Sequence, residues 1–410
     1  MSDKSNDKAH PKICILTDSF YPIVGGGEAH ARLLAAELIK RKVMVFVLSR
    51  RRLKEFPEFD RVDGVEIIRV LPYGLQRLGK YYMLLPAMIR LIMLRKRYDI
   101  IYVCGLRLLG IIAVALGKMM CKKVVLRSES CGEMSGEFAT LVLEKNKHEL
   151  IVGIIRKMIA FRNRLLFAAD KFLAISSVIK DEYIASGVNE DRIVMIPNGI
   201  DTEKYRPVDN EEKIALRARL GLPDKLVFVY TGKMNRGKGL ELLLEVWVNI
   251  VAQYDNVHLY LVGSGDFQAL GCENELRRYV EANQLSQHVT FTGYVENVTE
   301  YLQAADFFVI PSESESQCLS LIEALACELP AIATAAGGIV DVVEDGVNGL
   351  LVPVGDAARL QQTISNFVGQ PEKARGMGVQ GRINVIERFG IEKDIDDHLR
   401  LFKQLCNGAT

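Results

Sequence analysis

Two glutamates, Glu315 and Glu323, stand in the stretch Pro311-Ser-Glu-Ser-Glu-Ser-Gln-Cys-Leu-Ser-Leu-Ile-Glu-Ala-Leu-Ala-Cys327. Carboxylates accept hydrogen bonds from hydroxyls, and eight residues of helix span ~12 Å, so the pair could bracket a ligand about as long as a nucleotide sugar. A second set, Thr231-Gly232-Lys233-Met-Asn-Arg236-Gly237-Lys238-Gly239, places cations among glycines. That composition suits a diphosphate, although the spacing lacks the G-x-x-x-x-G-K-[ST] of a P-loop. A third, Gly25-Gly26-Gly27-Glu28, is glycine-rich but has His30 where a dinucleotide fingerprint needs its last glycine. Taken alone, each has a plain structural reading: Ser314, Ser316 and the glutamates cap a helix, and the glycines make turns.

The elements around these residues are those that would position such chemistry. Phe307–Ile310 is an apolar run ending at Pro311, and Leu319, Ile322, Leu325 and Ala326 follow with helical spacing, so a buried strand, a turn and a helix from near Ser316 are expected. A helix N-terminus at the end of a parallel strand offers unpaired N–H groups and partial positive charge to a phosphate. Lys12–Thr17 precedes the first glycine loop and Leu226–Tyr230 the second, each as a strand feeding a helix. Further continuous apolar strands are expected at 43–48, 65–70, 99–104, 123–127, 172–175, 192–196, 257–262 and 289–295, as in parallel sheets covered on both faces. Residues 202–224 are charged and helical and read as a linker.

The 410 residues suggest two domains, and 49% hydrophobic content is ample for two cores. None of the eight cysteines forms a C-x-x-C pair, which points to reduced thiols in a cytoplasmic protein without a zinc site. The polar first twelve residues do not read as a signal peptide, and no run is long and apolar enough to span a membrane. The net charge of +1 conceals an asymmetry. Residues 1–200 hold 33 Lys and Arg against 21 Asp and Glu, a net +12, and the remainder is −11. Two apolar stretches, 77–97 and 151–167, are rich in Lys and Arg and fit an anionic membrane surface; the alternative is a core helix with a solvated basic rim. No basic groove with interleaved aromatics suggests nucleic acid.

Glu315 and Glu323 behind Pro311-Ser312, then Leu329-Pro330, Gly337-Gly338 and Glu344-Asp345-Gly346-x-x-Gly349, closely resemble the retaining glycosyltransferases of family 4, which have the GT-B fold. The likeness extends over nearly the whole chain, strongly in 226–355 and more loosely in 12–170. It implies an α/β architecture of two doubly wound, Rossmann-like parallel-sheet domains facing a central cleft. The acceptor-binding domain would be 1–205, with 390–410 packing back on it as a terminal helix, and the nucleotide-sugar domain 206–389. The resemblance implies a catalytic set of Lys233, Lys238, Glu315 and Glu129. Gly26, Gly27, Arg236, Gly263, Ser264, Val295, Cys318, Leu319 and Glu323 would bind the donor. Glu28, His30 and Arg127 would face the acceptor.

Within that frame Glu315 faces the sugar, Glu323 holds the ribose diol, and Val295 contacts the base through its backbone. Three departures stand out: Ser316-Gln317-Cys318 replaces Gly-Phe-Gly, Lys233 replaces an Arg, and Glu129 occupies the strand end where relatives carry a His. Lys keeps the charge but loses the planar fork of Arg, a gap Arg236 could fill. Glu129 either orients the acceptor hydroxyl or is simply a polar strand-end residue; His30 is as readily a packing residue as a catalytic one.

The expected function is a retaining transfer of hexose from a UDP- or GDP-linked sugar, with no required metal or resident cofactor. The expected acceptor is lipid-linked or a polysaccharide or glycoconjugate precursor, at the cytoplasmic membrane face. The competing expectations are a membrane-docked nucleotide-sugar-binding protein without turnover and a nicotinamide oxidoreductase.

Overall fold

The computed structural model describes residues 11–23, 25–74, 78–137, 149–265 and 270–407, so residue 77 of the first basic stretch lies outside the described residues. The chain forms two compact units, Met1–Asn198 with Asp394–Thr410, and Gly199–Lys393. The expected boundaries at 205 and 389 lie a few residues from these.

Unit 1 contains β1 (Ile13–Thr17), α1 (Gly26–Lys40), β2 (Val45–Arg50), β3 (Phe59–Val62), β4 (Val65–Val70), α2 (Gly79–Tyr82), α3 (Leu84–Met93), β5 (Ile100–Cys104), α4 (Leu106–Met119), β6 (Lys123–Arg127), α5 (Glu149–Leu166), β7 (Lys171–Ala174), α6 (Ser177–Ala185) and β8 (Ile193–Met195). Its sheet has the order β3-β4-β2-β1-β5-β6-β7-β8, parallel except for β3 against β4. The hairpin at β3 was not expected. Asp63-Gly64 makes its two-residue turn, with φ of 50° and 80°, the left-handed pair that an Asp-Gly hairpin turn requires. Strands β1, β2 and β5 are buried along their whole length, as continuous apolar runs between two helical layers must be. The strand order reverses between β1 and β5, so the loops leaving their carboxyl ends part to opposite faces and open a crevice.

Unit 2 contains α7 (Asn210–Leu220), β9 (Leu226–Thr231), α8 (Leu240–Gln253), β10 (Val257–Val262), α9 (Glu273–Ala282), β11 (Val289–Gly293), α10 (Val298–Ala304), β12 (Phe307–Ile310), α11 (Leu319–Ala326), β13 (Ala331–Thr334), β14 (Leu350–Val352), α12 (Ala357–Gly369) and α13 (Pro371–Phe389). Its sheet, β11-β10-β9-β12-β13-β14, is wholly parallel and reverses between β9 and β12. The last helix, α14 (Ile391–Asn407), belongs to unit 1 from Asp394 onward.

The stretch 202–224 is not a linker. Asp209 caps α7 by accepting from the Glu212 N–H at 2.8 Å, and Gly221 ends the helix in the left-handed region. Lys213 reaches the Asp306 carboxylate at 2.9 Å and Arg217 pairs with its other oxygen, so charge that reads as solvated instead fastens α7 to the start of β12. All eight cysteines are free thiols. Among the described residues, no helix is long and apolar enough to cross a membrane.

Candidate active site

The loops after β9 and β12 leave the sheet at the unit 2 reversal, and glycine lets them touch. Gly239 has φ +67°, and a Cβ there would stand 1.9 Å from the Pro311 carbonyl oxygen. Only that bare approach brings Lys238 beside Glu315: the ammonium donates to Glu315 Oε1 at 2.7 Å, and Ser312 Oγ donates to the same oxygen at 2.8 Å. Gly337 meets the Glu315 carbonyl just as closely, 2.0 Å from a would-be Cβ, and the Gly338 N–H donates to that carbonyl at 2.8 Å. Glu315 is therefore held at its carbonyl by the loop after β13 and at its carboxylate by the loop after β9.

The helix starts at Leu319, not near Ser316, because the residues before it are committed to these loop contacts. Cys318 is its N-cap, and no side-chain oxygen caps it. The first N–H groups of α11, beginning with Leu319, thus lie beside the Lys238–Glu315 pair with the partial positive charge of a helix end. The Cys318 thiol is buried, which pushes its pKa up to about 12.

The other unit 2 residues take varied places. Lys233 is exposed on the loop, and its carbonyl accepts from the Tyr230 hydroxyl at 2.9 Å. Arg236, which could fill the gap left by an Arg at 233, pairs with an acid in this structure. Its guanidinium is drawn to Glu275, at 2.6 and 2.8 Å from the two oxygens, on the exposed side of the loop. Gly263 passes so near the Gly232 carbonyl that a Cβ would stand 2.0 Å away, and its own N–H donates to Gly293 at 3.1 Å. Ser264 donates to Glu273 at 3.1 Å, and its carbonyl accepts from the Met234 N–H at 3.2 Å, bracing the β9 loop. Val295 packs partly buried against the core. Glu323 lies one helical turn into α11 and accepts a hydrogen bond from the Tyr205 hydroxyl; burial pushes its pKa up to about 7 against that bond and the nearby Lys204.

In unit 1 the crevice is a cavity of about 580 Å³. The carboxyl ends of β1 and β5 line it through Thr17, Ser19 and Cys104, and Glu28, Glu129 and Glu133 also face it. Glu129 lies over the start of α1: a Cβ on Gly27 would stand 2.1 Å from its Oε2. The third glycine of the loop is thus the room this carboxylate occupies, and Gly26 opens α1 beside it. Glu28 accepts from the Ser19 hydroxyl. Glu133, unremarkable in sequence, is buried with its pKa pushed up to about 7 by that burial. Its oxygens accept from the Leu106 N–H at 3.0 Å and the Glu129 N–H at 3.2 Å, so it ties the start of α4 to the turn carrying Glu129.

Two residues expected to face the acceptor do not reach the cavity. Arg127 is fully buried because it ends a central strand, and its guanidinium donates to Asn198 at 2.6 Å and lies 3.5 Å from Glu129. Burial disfavours its charge, yet Glu129 and its other neighbours hold the pKa above the usual value. His30 is also buried, its Nε2 2.6 Å from Asp394, whose other oxygen lies 2.8 Å from His398 Nδ1. Tyr102 completes the chain at 3.0 Å from His398 Nε2. Burial lowers the His30 pKa while Asp394 opposes it, and the two imidazoles hold the Asp394 carboxyl well below the usual range against the cost of burial. Asp394 and His398 stand four apart on α14, but no sequence signal joins them to His30 and Tyr102, which lie hundreds of positions away. Among the described residues, no cluster of three or more His, Cys, Asp or Glu could hold a metal.

Two family models match the chain: "Glycosyltransferase Family 4" over residues 24–204 and "Glycosyl transferases group 1" over 225–370. A D-inositol 3-phosphate glycosyltransferase of Catenulispora acidiphila is 29% identical over 270 residues. That match spans 61% of this chain and 61% of the relative, less than two thirds of its length. Among solved structures, sucrose-phosphate synthase from Thermosynechococcus elongatus matches with a TM-score of 0.80 at 25% identity, covering 97% of this chain and all (100%) of that one. Anabaena HepE, solved with UDP and glucose, matches with a TM-score of 0.78 at 19% identity, over 96% of this chain and 100% of its own. The doubly wound units, the glycine-bound loops at their strand ends and these matches agree: the chain has the GT-B fold and belongs to the group 1 glycosyltransferases of family 4.

Proposed function

We propose that this protein transfers a hexose, with retention of anomeric configuration, from a UDP- or GDP-linked sugar to an acceptor hydroxyl. Unit 2 binds the donor and unit 1 the acceptor, a lipid-linked or glycan precursor at the cytoplasmic membrane face. The observation that supports this most is the Lys238–Glu315 pair beside the uncapped start of α11. A cation, a carboxylate and the first N–H groups of a helix within one loop cluster can receive the diphosphate and a sugar hydroxyl together. When donor binds, phosphate competes with Glu315 for the ammonium, which leaves the carboxylate to accept from the sugar.

The bond from the anomeric carbon to the diphosphate oxygen breaks as the acceptor oxygen attacks from the same face. The electron pair leaves with the diphosphate, and Lys233, Lys238 and the N–H groups at Cys318 and Leu319 hold that charge. The acceptor proton passes to the departing diphosphate oxygen. Fixed charges that meet developing charge lower the barrier because they need no reorganisation. Glu129, over Gly27 in the unit 1 cavity, orients the acceptor hydroxyl, and Arg127 acts behind it as a buried positioning residue. Glu323 accepts from the ribose diol. No resident cofactor or metal enters this scheme.

The test is product analysis with UDP- and GDP-sugars in the presence of chelator. Proton NMR of the glycoside should show the anomer of the donor, with one nucleoside diphosphate released per bond formed. An inverted anomer would refute the same-face mechanism, and binding without release would leave a non-catalytic sugar-nucleotide-binding protein.

A further inference from the structure

Helices α3 and α5 both pack on α4, so two stretches far apart in sequence share one layer of unit 1. Their outward faces are apolar. On α3, Leu85, Ile89 and Met93 are 64%, 50% and 62% exposed. On α5, Ile154, Met158 and Phe161 are 53%, 65% and 65% exposed and recur at helical spacing along one stripe. Single exposed apolar side chains are ordinary, but matched stripes on two helices of one layer are the mark of a surface that something covers.

The charge around the stripes says what covers them. No Asp or Glu occurs from 79 to 98 or from 150 to 169. Exposed cations do: Arg95 and Lys96 follow α3, and Lys157 and Arg164 flank the stripe on α5. At the edge of the layer, α2 exposes Tyr81 and Tyr82 beside Lys80, the pairing of amphipathic ring and cation found where hydrocarbon meets headgroups. One acid, Glu58, reaches the α3 face and is paired with Arg90; the rest of the rim is cationic, and flexible apolar chains with that excess of cations suit a fluid anionic interface.

We propose that the outer face of α2, α3 and α5 docks unit 1 on an anionic lipid bilayer. Two of these helices also wall the unit 1 cavity, α2 through Lys80 and Tyr81 and α5 through Ile159 and Arg162, with Met83 between α2 and α3. A lipid-anchored acceptor held in the bilayer can therefore present its headgroup to Glu129 without leaving the membrane. The second step rests on the reading of unit 1 as the acceptor unit; the docking itself does not.

The test is co-sedimentation of the full chain with vesicles of phosphatidylcholine alone and of phosphatidylcholine mixed with phosphatidylglycerol. Binding should be at least about tenfold stronger to the anionic vesicles and should weaken as salt is raised. Met158→Glu with Phe161→Glu should lower that binding about tenfold or more while the thermal midpoint and the affinity for UDP or GDP stay as in the wild type. Arg95→Ala with Lys96→Ala is the second pair, milder in its effect on the fold, and should lower anionic binding alone. Equal binding to both vesicle types, or unchanged binding by both pairs, would overturn the proposal. So would a lipid-free dimer that Met158→Glu with Phe161→Glu dissociates, because the face would then be an interface between copies. Vesicle binding requires no turnover, so its failure is distinguishable from failure of the transferase reading.

Discussion

Both units open a crevice where their strand order reverses, but they furnish it by different means. In unit 2 the loops meet backbone to backbone: Gly239 against Pro311, Gly337 against Glu315, Gly263 against Gly232. In unit 1 the loops are joined by side chains. Glu129 rests its carboxylate over Gly27, Glu133 accepts N–H groups from two loops, and Glu182 accepts from the N–H groups of Gly132, Met134 and Ser135, each at 2.8 Å. A backbone contact tolerates one residue, glycine, and fixes a cradle to within a few tenths of an ångström. A side-chain contact can be replaced by another of similar reach. On the proposed reading, a donor diphosphate would use the first kind of site and acceptors of varied shape the second.

The largest effect expected from this contrast lies at Lys238. If Lys238 holds the diphosphate as proposed, its ammonium meets the charge that accumulates as the glycosidic bond breaks and stabilises that state more than the bound donor. Lys238→Ala should lose about 3–4 kcal/mol of transition-state stabilisation, or ~10²–10³ in kcat, with a smaller loss of donor affinity. The thermal midpoint should hardly move, since a partly exposed ion pair contributes little to folding. Near-normal turnover in a folded variant would remove this loop from the diphosphate site.

Gly239→Ala comes next. Its φ of +67° disfavours any side chain, and the new Cβ meets a carbonyl oxygen that cannot swing away. The β9 and β12 loops must part, separating Lys238 from Glu315. Titration calorimetry should show nucleotide affinity lower by ~2–3 kcal/mol, and the midpoint of unfolding should fall as well. Affinity equal to wild type would mean that the loops need not touch.

Glu323 supplies a pH-dependent test within unit 2. Its folded pKa of about 7 stands above the ordinary carboxylate value, so its contribution to stability is fully present at acid pH, below that ordinary value. It is lost as pH rises through about 7. Thermal midpoints from pH 5 to 8 should therefore fall more steeply for the wild type than for Glu323→Gln. The same variant should bind UDP or GDP about tenfold or more weakly if the carboxylate accepts from the ribose. Parallel pH curves and equal affinities would reduce Glu323 to a helix residue held by Tyr205.

The contrast also explains what could be read from sequence. The unit 2 site was legible because backbone contacts leave glycines at short, fixed spacings beside the residues they position, as Gly237-Lys238-Gly239 and Gly337-Gly338 do. The strands were legible because burial on both faces leaves unbroken apolar runs. The hairpin at β3 had a signal, Asp63-Gly64, that its half-exposed first strand obscured. The His30–Asp394–His398–Tyr102 network had only the i,i+4 spacing of Asp394 and His398 on α14, which nothing local connects to α1 or β5. Only the resemblance places Arg127 at the acceptor; here Asn198 and Glu129 keep it inside. The helix after Pro311 begins three residues later than its serines suggest, because the backbone of Glu313 and Glu315 is tied to the loops carrying Gly237 and Gly338.

The smallest effect and the finest probe is Gly27→Ala, the counterpart in unit 1 of Gly239→Ala. The two substitutions add the same methyl group at nearly the same overlap, 2.1 Å against 1.9 Å, yet what they meet differs. At Gly27 the obstacle is the tip of a glutamate with three side-chain torsions, and the backbone is helical, where alanine is the better residue by ~1 kcal/mol. The fold should thus lose nothing and can gain slightly. The Glu129 carboxylate, however, must leave its place over α1. If it orients the acceptor hydroxyl, kcat/KM for acceptor should fall about tenfold, close to the ~1.4 kcal/mol of one hydrogen bond. Glu129→Gln should lose as much without any gain in stability. If Gly27→Ala and Glu129→Gln both turn over acceptor at the wild-type rate, Glu129 is a strand-end residue only, and the unit 1 site must find its hydroxyl-binding group among Glu28 and the polar ends of β1.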